Sequence, residues 1–239
     1  MQVISPLGTA VSRTPFKVTN CVNPLPGLES WWTGDGHARD SLGRHPGGAR
    51  ETAFAPGVDA YAFSLDGSRS FVSIAHRPTL NFGAADFTVG FWMRTSAVGA
   101  RAVLNKRAAC ATGSGFWDIR LTLDGRMEAE LTGDGSFIYA VISAAPVNDG
   151  TWRHVALVRQ GATARLYIDG QAQGFVDTKE VLNIGNTAPW RIGSDPCIGA
   201  DRTRFYQGML DEVQWFSQAL SAAEIKSIIG ARESGVCRP

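Results

Sequence analysis

The residues best placed for chemistry are carboxylates. Glu128 and Glu130 in "RMEAEL" stand two positions apart, and on a strand that spacing puts both side chains on one face. Glycoside hydrolysis needs two carboxyl groups flanking the scissile bond, one to protonate the leaving oxygen and one to attack or to activate water. No third carboxylate follows in the run. The pair also sits just after a turn, where solvated charge is ordinary, so it receives no catalytic role. Asp35 and Asp40 flank a glycine turn and His37 in "SWWTGDGHARD". They lack the spaced acids and closing Glu of an EF-hand loop. His37, His45, His76 and His154 are joined by no HExxH or comparable metal spacing, and no GxSxG elbow occurs. His154, in "WRHVALV", reads as a structural strand residue. The expectation is a protein that is not an enzyme.

A binding surface has better material. Sugars are held by aromatic faces stacking on the rings and by planar polar groups that reach the hydroxyls. Of the seven tryptophans, most belong in a core. Trp117 follows the glycine-rich "CATGSG" loop, with Asp118 and Arg120 beside it, and is the candidate exception. A second glycine-containing loop, "GSDPCIGADRTRF", brings Asp195, Asp201, Arg202 and Arg204. Four cysteines, none in a CxxC motif, allow three pairings. Chain ends are often neighbours, which favours Cys21–Cys237 with Cys110–Cys197; the alternative is four free thiols in a reducing compartment. Pairing implies an oxidising, extracellular or secreted setting. A Cys110–Cys197 bond makes the two loops meet at one rim as a polar cleft; stapled loops without a ligand are the competing reading.

These residues must be positioned by strands. "DFTVGFWMRT" alternates with a period of two. Asp124–Gly125 and Asp169–Gly170 each join two β-rich runs, a strong hairpin signal because both residue types tolerate positive φ. Further strands are expected at "YAFSLDG", "SFVSI", "SFIYAVIS", "WRHVALVRQ" and "MLDEVQWF". One helix is predicted in "LSAAEIKSIIGAR", where Ser221 and Glu224 form a capping box and Ile225, Ile228 and Ile229 form an apolar stripe. The fold class is therefore all-β, an antiparallel β-sandwich (jelly roll) with one short C-terminal helix. Residues 1–20 read as a tail or linker without signal-peptide character, and 21–239 as a single domain. Trp31 and Trp32 open the first strand, one facing the core and the other covering a sheet edge. A net charge of +1 argues against nucleic acid, which needs concentrated basic charge. No apolar run reaches the roughly 18 residues of a membrane span.

Several segments in order, "GLESWWTGDGHARD", "AFSLDGSRSFVSI", "LNFGAADFTVGFWMRT", "DGTWRHVALVRQGATARLYIDGQ" and "FYQGMLDEVQWFSQALSAAEI", resemble the LamG-like members of the concanavalin A-like lectin/glucanase superfamily. The resemblance covers about residues 27–230. It implies two packed antiparallel sheets and an extracellular module appended to enzymes or adhesins. The ExDxxE strand of the superfamily's β-glucanases is absent. By resemblance, a structural calcium falls to Asp35, Asp40 and Asp211, with Glu212 in reserve; the alternative is that these carboxylates cap turn amides. The function expected is a non-catalytic carbohydrate-binding or adhesion module with a polysaccharide or glycan partner. A protein-interaction module is the runner-up and a diverged polysaccharide-cleaving enzyme the third.

Overall fold

The computed structural model describes residues 23–110, 113–133, 137–197 and 204–231, together with the backbone of 2–5 and 8–11. In chain order the strands are β1 (Gln2–Ser5), β2 (Gly8–Val11), β3 (Leu28–Trp32), β4 (Gly47–Arg50), β5 (Ala53–Pro56), β6 (Tyr61–Asp66), β7 (Phe71–Ile74), β8 (Phe87–Arg94) and β9 (Arg101–Lys106). They continue with β10 (Phe116–Leu121), β11 (Arg126–Thr132), β12 (Tyr139–Pro146), β13 (Arg153–Gln160), β14 (Thr163–Ile168), β15 (Gln171–Asp177), β16 (Trp190–Ile192) and β17 (Gln207–Phe216), followed by helix α1 (Ala222–Gly230). β1 and β2 pair only with each other. The rest form a seven-stranded sheet ordered β12-β11-β10-β9-β16-β7-β4 and an eight-stranded sheet ordered β15-β14-β13-β8-β17-β6-β5 with β3 also on β17. All the pairings are antiparallel, and the two sheets stack as the expected sandwich.

The turns follow from their residues. At Asp169–Gly170 both residues have positive φ, 49° and 71°, and Ile168 pairs directly with Gln171, a two-residue hairpin of the favoured hand. The β10–β11 turn is one residue longer: Thr122 and Arg126 close it through a 2.8 Å backbone hydrogen bond, with Gly125 at φ 80°. This matters because a one-residue change in register moves every side chain to the opposite face.

The core between the sheets is aromatic. Trp32, Trp117, Trp190 and Trp215 gather there around Phe82 and Phe87, with Trp117 and Trp190 edge-to-face at 4.7 Å. A second apolar cluster lies on the outer face of the eight-stranded sheet. Trp31, Ala156, Val158, Tyr167 and Phe216 are roofed there by Leu220 and Ile225. Both adjacent tryptophans are thus fully buried, on opposite faces of one strand. Trp31 lies under the helix, on β3 at the side of β17. Ser221 and Glu224 exchange the hydrogen bonds of a capping box at the start of α1. Asn23, Pro24 and Leu25 pack beside Ile228 and Ala231, so the two limits of the main described body are neighbours.

Candidate functional site

The outer face of the seven-stranded sheet carries the polar residues. Cross-strand register aligns one row over all seven strands: Gly48, Ser73, Arg191, Asn105, Asp118, Glu130 and Ala140. On β10 the alternation sends Trp117, Ile119 and Leu121 into the core and leaves Phe116, Asp118 and Arg120 outside. Trp117 is fully buried, so the expected stacking platform at this position is not available to a ligand. Asp118 and Arg120, its neighbours, do reach the outer face.

There they meet the two carboxylates set aside at the sequence level. Glu130 lies opposite Asp118, and Glu128 opposite Arg120. Arg107 donates to Asp118 at 2.7 Å and stands 3.6 Å from Glu130. Arg120 contacts Glu128 at 2.7 Å and Glu130 at 2.5 Å. Two guanidinium groups therefore hold three carboxylates. Burial and the neighbouring Glu130 charge push Asp118 up to about 7, against the opposing pull of Arg107. Burial likewise raises Glu128.

The predicted rim is present. Cys110 and Cys197 form a disulfide with Cα atoms 4.7 Å apart, closing 87 residues of separation. Arg107 donates to the carbonyls of Ala109 and Cys110, tying the same loop to Asp118. From the other loop, the Ser194 carbonyl accepts from Asn105 at 2.6 Å and Asp195 pairs with Arg204 at 2.8 Å. Arg204 also acts electrostatically on Glu128. Asp118, Arg120, Asp195 and Arg204 are thus brought together, as the sequence suggested. Asp201, Arg202 and the Cys21–Cys237 pairing lie outside the described residues.

Aromatic rings stand on the same face. Phe71 is half-buried beside Phe205, ring centroids 6.3 Å apart, with the Arg50 and Arg191 guanidinium groups 5.7 and 5.9 Å from its centre. Sequence reading passed over both phenylalanines because attention went to tryptophan. Among the described residues six buried polar atoms on this face have no hydrogen-bond partner, Asn105 Oδ1, Asp118 Oδ1, Arg120 Nε, Arg191 Nε, Ser194 Oγ and Arg204 Nε, with Arg120 Nε and Asp118 Oδ1 4.0 Å apart as an ion pair. Each such group costs about 1–3 kcal/mol when left unpaired, so this face is a polar surface underused by the fold itself.

The calcium candidates separate. Asp40 accepts from the amides of Trp31 and Leu42 through Oδ1 and from those of Arg44 and His45 through Oδ2, at 2.9–3.1 Å. It serves as a loop cap. Asp35 accepts from the Tyr61 amide, and Asp211 Oδ2 from the Val58 amide at 2.7 Å. Asp211 is fully buried, its Oδ1 has no hydrogen-bond partner, and burial raises it to about 7 with Asp35 adding to the effect. Glu212 accepts from the Trp31 indole at 2.8 Å. Asp40 is thus occupied by four amides, whereas Asp211 keeps one carboxylate oxygen without a hydrogen-bond partner among the described residues. Among the described residues no three His, Cys, Asp or Glu converge as ion ligands, so the remaining oxygens would have to be backbone carbonyls. His154 is buried edge-on against Trp92, and burial lowers it to about 4, consistent with a structural residue.

The fold and this face define a class of protein, a jelly-roll sandwich with one covered and one polar outer surface. The chain belongs to the concanavalin A-like lectin/glucanases superfamily: a laminin G family model with that description matches residues 66–226. Among solved structures it is similar to the binding domain of Paraclostridial Mosquitocidal Protein 1, with a TM-score of 0.71 and 19% identity, covering 84% of this chain and 51% of that one. It is also similar to domain 4 of AbnA, a GH43 extracellular arabinanase from Geobacillus stearothermophilus in complex with arabinotriose, with a TM-score of 0.65 and 18% identity, covering 84% and 97%. The binding domain of botulinum neurotoxin serotype G follows, with a TM-score of 0.69, 16% identity, and 86% and 51% covered. The chain spans about half the length of these toxin binding domains. Identities this low establish the shared fold. No curated protein matches the chain.

Proposed function

We propose that this protein is a non-catalytic, extracellular carbohydrate-binding module whose glycan lies across the outer face of the seven-stranded sheet. The observation that carries this reading is the half-buried Phe71–Phe205 pair beside a polar row where, among the described residues, six buried atoms lack a hydrogen-bond partner. Aromatic rings receive the apolar face of a sugar, while the carboxylates and guanidinium groups match its hydroxyls. The arginine pairing of Asp118, Glu128 and Glu130 suits binding better than hydrolysis, since it leaves no carboxylate unopposed as acid or nucleophile. The arabinotriose complex of the arabinanase domain supports a saccharide as ligand. The disulfide supports an oxidising compartment. Where calcium is bound, we assign it to Asp35 and Asp211 as a fold-stabilising ion. The apolar side chains exposed where the edges of both sheets meet, Phe137, Ile138, Ile142 and Phe175, favour protein docking as the second reading.

Binding to a panel of neutral soluble polysaccharides, measured by affinity electrophoresis with calcium and with EDTA, tests the proposal. Retardation by at least one glycan is expected, weakened about tenfold in Phe205→Ala, the loss of one anchoring contact. Retention that survives EDTA separates the metal from the glycan site. No retardation by any glycan would transfer the assignment to the protein-interaction reading.

A further inference from the structure

A cavity of about 490 Å³ opens at the end of the sandwich, lined by Arg94, Ser96, Arg101, Gly150, Gln207 and Met209 among others. Volumes of this size suit a small ligand. Among the described residues its lining includes two guanidinium groups and no carboxylate. Arg94 ends β8 and is exposed. Its Nε donates to the Gly150 carbonyl at 2.9 Å, which fixes the guanidinium at the wall. Among the described residues the two terminal nitrogens, which form the end-on fork, have no ion-pair partner. Arg101 is held by the Val98 carbonyl through Nε at 3.2 Å and Nη2 at 2.9 Å, so its charge is also fixed in place. Asp149, adjacent to Gly150, is engaged by Arg153, which also pairs with Asp169 at 2.9 Å. That acid is thus already matched, and no carboxylate among the described residues lines the cavity.

The cavity adjoins the glycan face. Arg101 Nη1 stands 3.5 Å from the Phe205 carbonyl, and the Ala102 amide donates to the Arg204 carbonyl at 2.8 Å. The segment carrying Phe205 therefore forms the boundary between the aromatic pair and the arginine-lined cavity.

We infer that this cavity receives the oxyanion of an acidic saccharide, a uronate carboxylate or a sulfate ester, and so extends the glycan site proposed above, on which the inference rests. A guanidinium fork meets such a group with two parallel charge-assisted hydrogen bonds. An ammonium acts as a point charge without that geometry. Ser96 and Gln207 supply neutral polar groups for the adjoining hydroxyls.

The experiment is calorimetric titration of the intact protein with trigalacturonate, with its neutral counterpart galactotriose, and with a sulfated galactotriose. At low salt at least one acidic ligand is expected to bind about tenfold more tightly than the neutral one, with the preference shrinking at high salt. The two acidic arms distinguish carboxylate from sulfate. In Arg94→Ala the preference should fall to near unity, and in Arg94→Lys it should be only partly kept. An unchanged melting curve for both variants establishes that they fold. Equal affinity for acidic and neutral ligands, or a preference intact in Arg94→Ala, overturns the inference. If neutral binding persists and is lost in Phe205→Ala, only the cavity assignment falls. If none of the three binds, both the inference and the glycan reading fall.

Discussion

The two outer faces of the sandwich are built on the same strand geometry and end up chemically opposite. On the eight-stranded sheet, Trp31, Tyr167 and Phe216 lie beneath Leu220 and Ile225, because the chain turns back after β17 and lays an amphipathic helix over them. On the seven-stranded sheet no helix returns. Its row from Ser73 through Arg191, Asn105 and Asp118 to Glu130 stays polar. Apolar burial stabilises without specifying a partner, whereas unpartnered donors and acceptors cost stability and gain from a ligand. The difference divides the labour: one face holds the fold, and the other is the one proposed above for recognition.

Perturbing the covered face should give the largest effect. Trp31→Ala removes a fully buried indole and is expected to lower the unfolding free energy by about 3–5 kcal/mol in a urea melt. Glycan affinity per folded molecule should stay unchanged. A matching loss of affinity would break the division between faces.

A smaller effect is expected from Arg107→Ala on the polar face. The substitution strips Asp118 of its 2.7 Å partner and frees the Ala109 and Cys110 carbonyls. Leaving a buried carboxylate unopposed costs about 3 kcal/mol. Adding Asp118→Asn should recover part of this, and a double-mutant cycle in urea measures the coupling.

The smallest effect is a pH slope. Asp118 sits at about 7 in the folded chain against an ordinary 3.8, so between these values the folded state keeps a proton that the unfolded state has lost. Its stabilising contribution is full below about pH 4 and disappears as the pH rises through about 7. The stability of the native protein relative to Asp118→Asn should therefore fall across that window. A flat difference would mean that Asp118 is solvated and that the polar face is less enclosed than described.

Much of the fold was legible from local signals. Asp169–Gly170 pinned its hairpin because both residues accept positive φ, and the Ser221–Glu224 box marked the start of α1. The Cys110–Cys197 bond and the meeting of Asp118, Arg120, Asp195 and Arg204 were also readable, since a disulfide between two loops brings their neighbours together. Trp117 was misplaced because its loop was weighed above its alternation. Its period-two partners Ile119 and Leu121 already place it inside. The third carboxylate beside Glu128 and Glu130 was hidden by one residue of turn length. A two-residue turn at Asp124–Gly125 would set Asp118 against Leu131, whereas the longer turn pairs it with Glu130. Phe71 and Phe205 lie 134 positions apart, and no local pattern joins them; only the sheet order brings them to one face.

The adjacency of Asn23–Leu25 to Ile228 and Ala231 has a consequence for assembly. Both segments lie on the helix-covered side of the main described body, opposite the polar row. A partner that covered this helix side would therefore leave the proposed glycan face open.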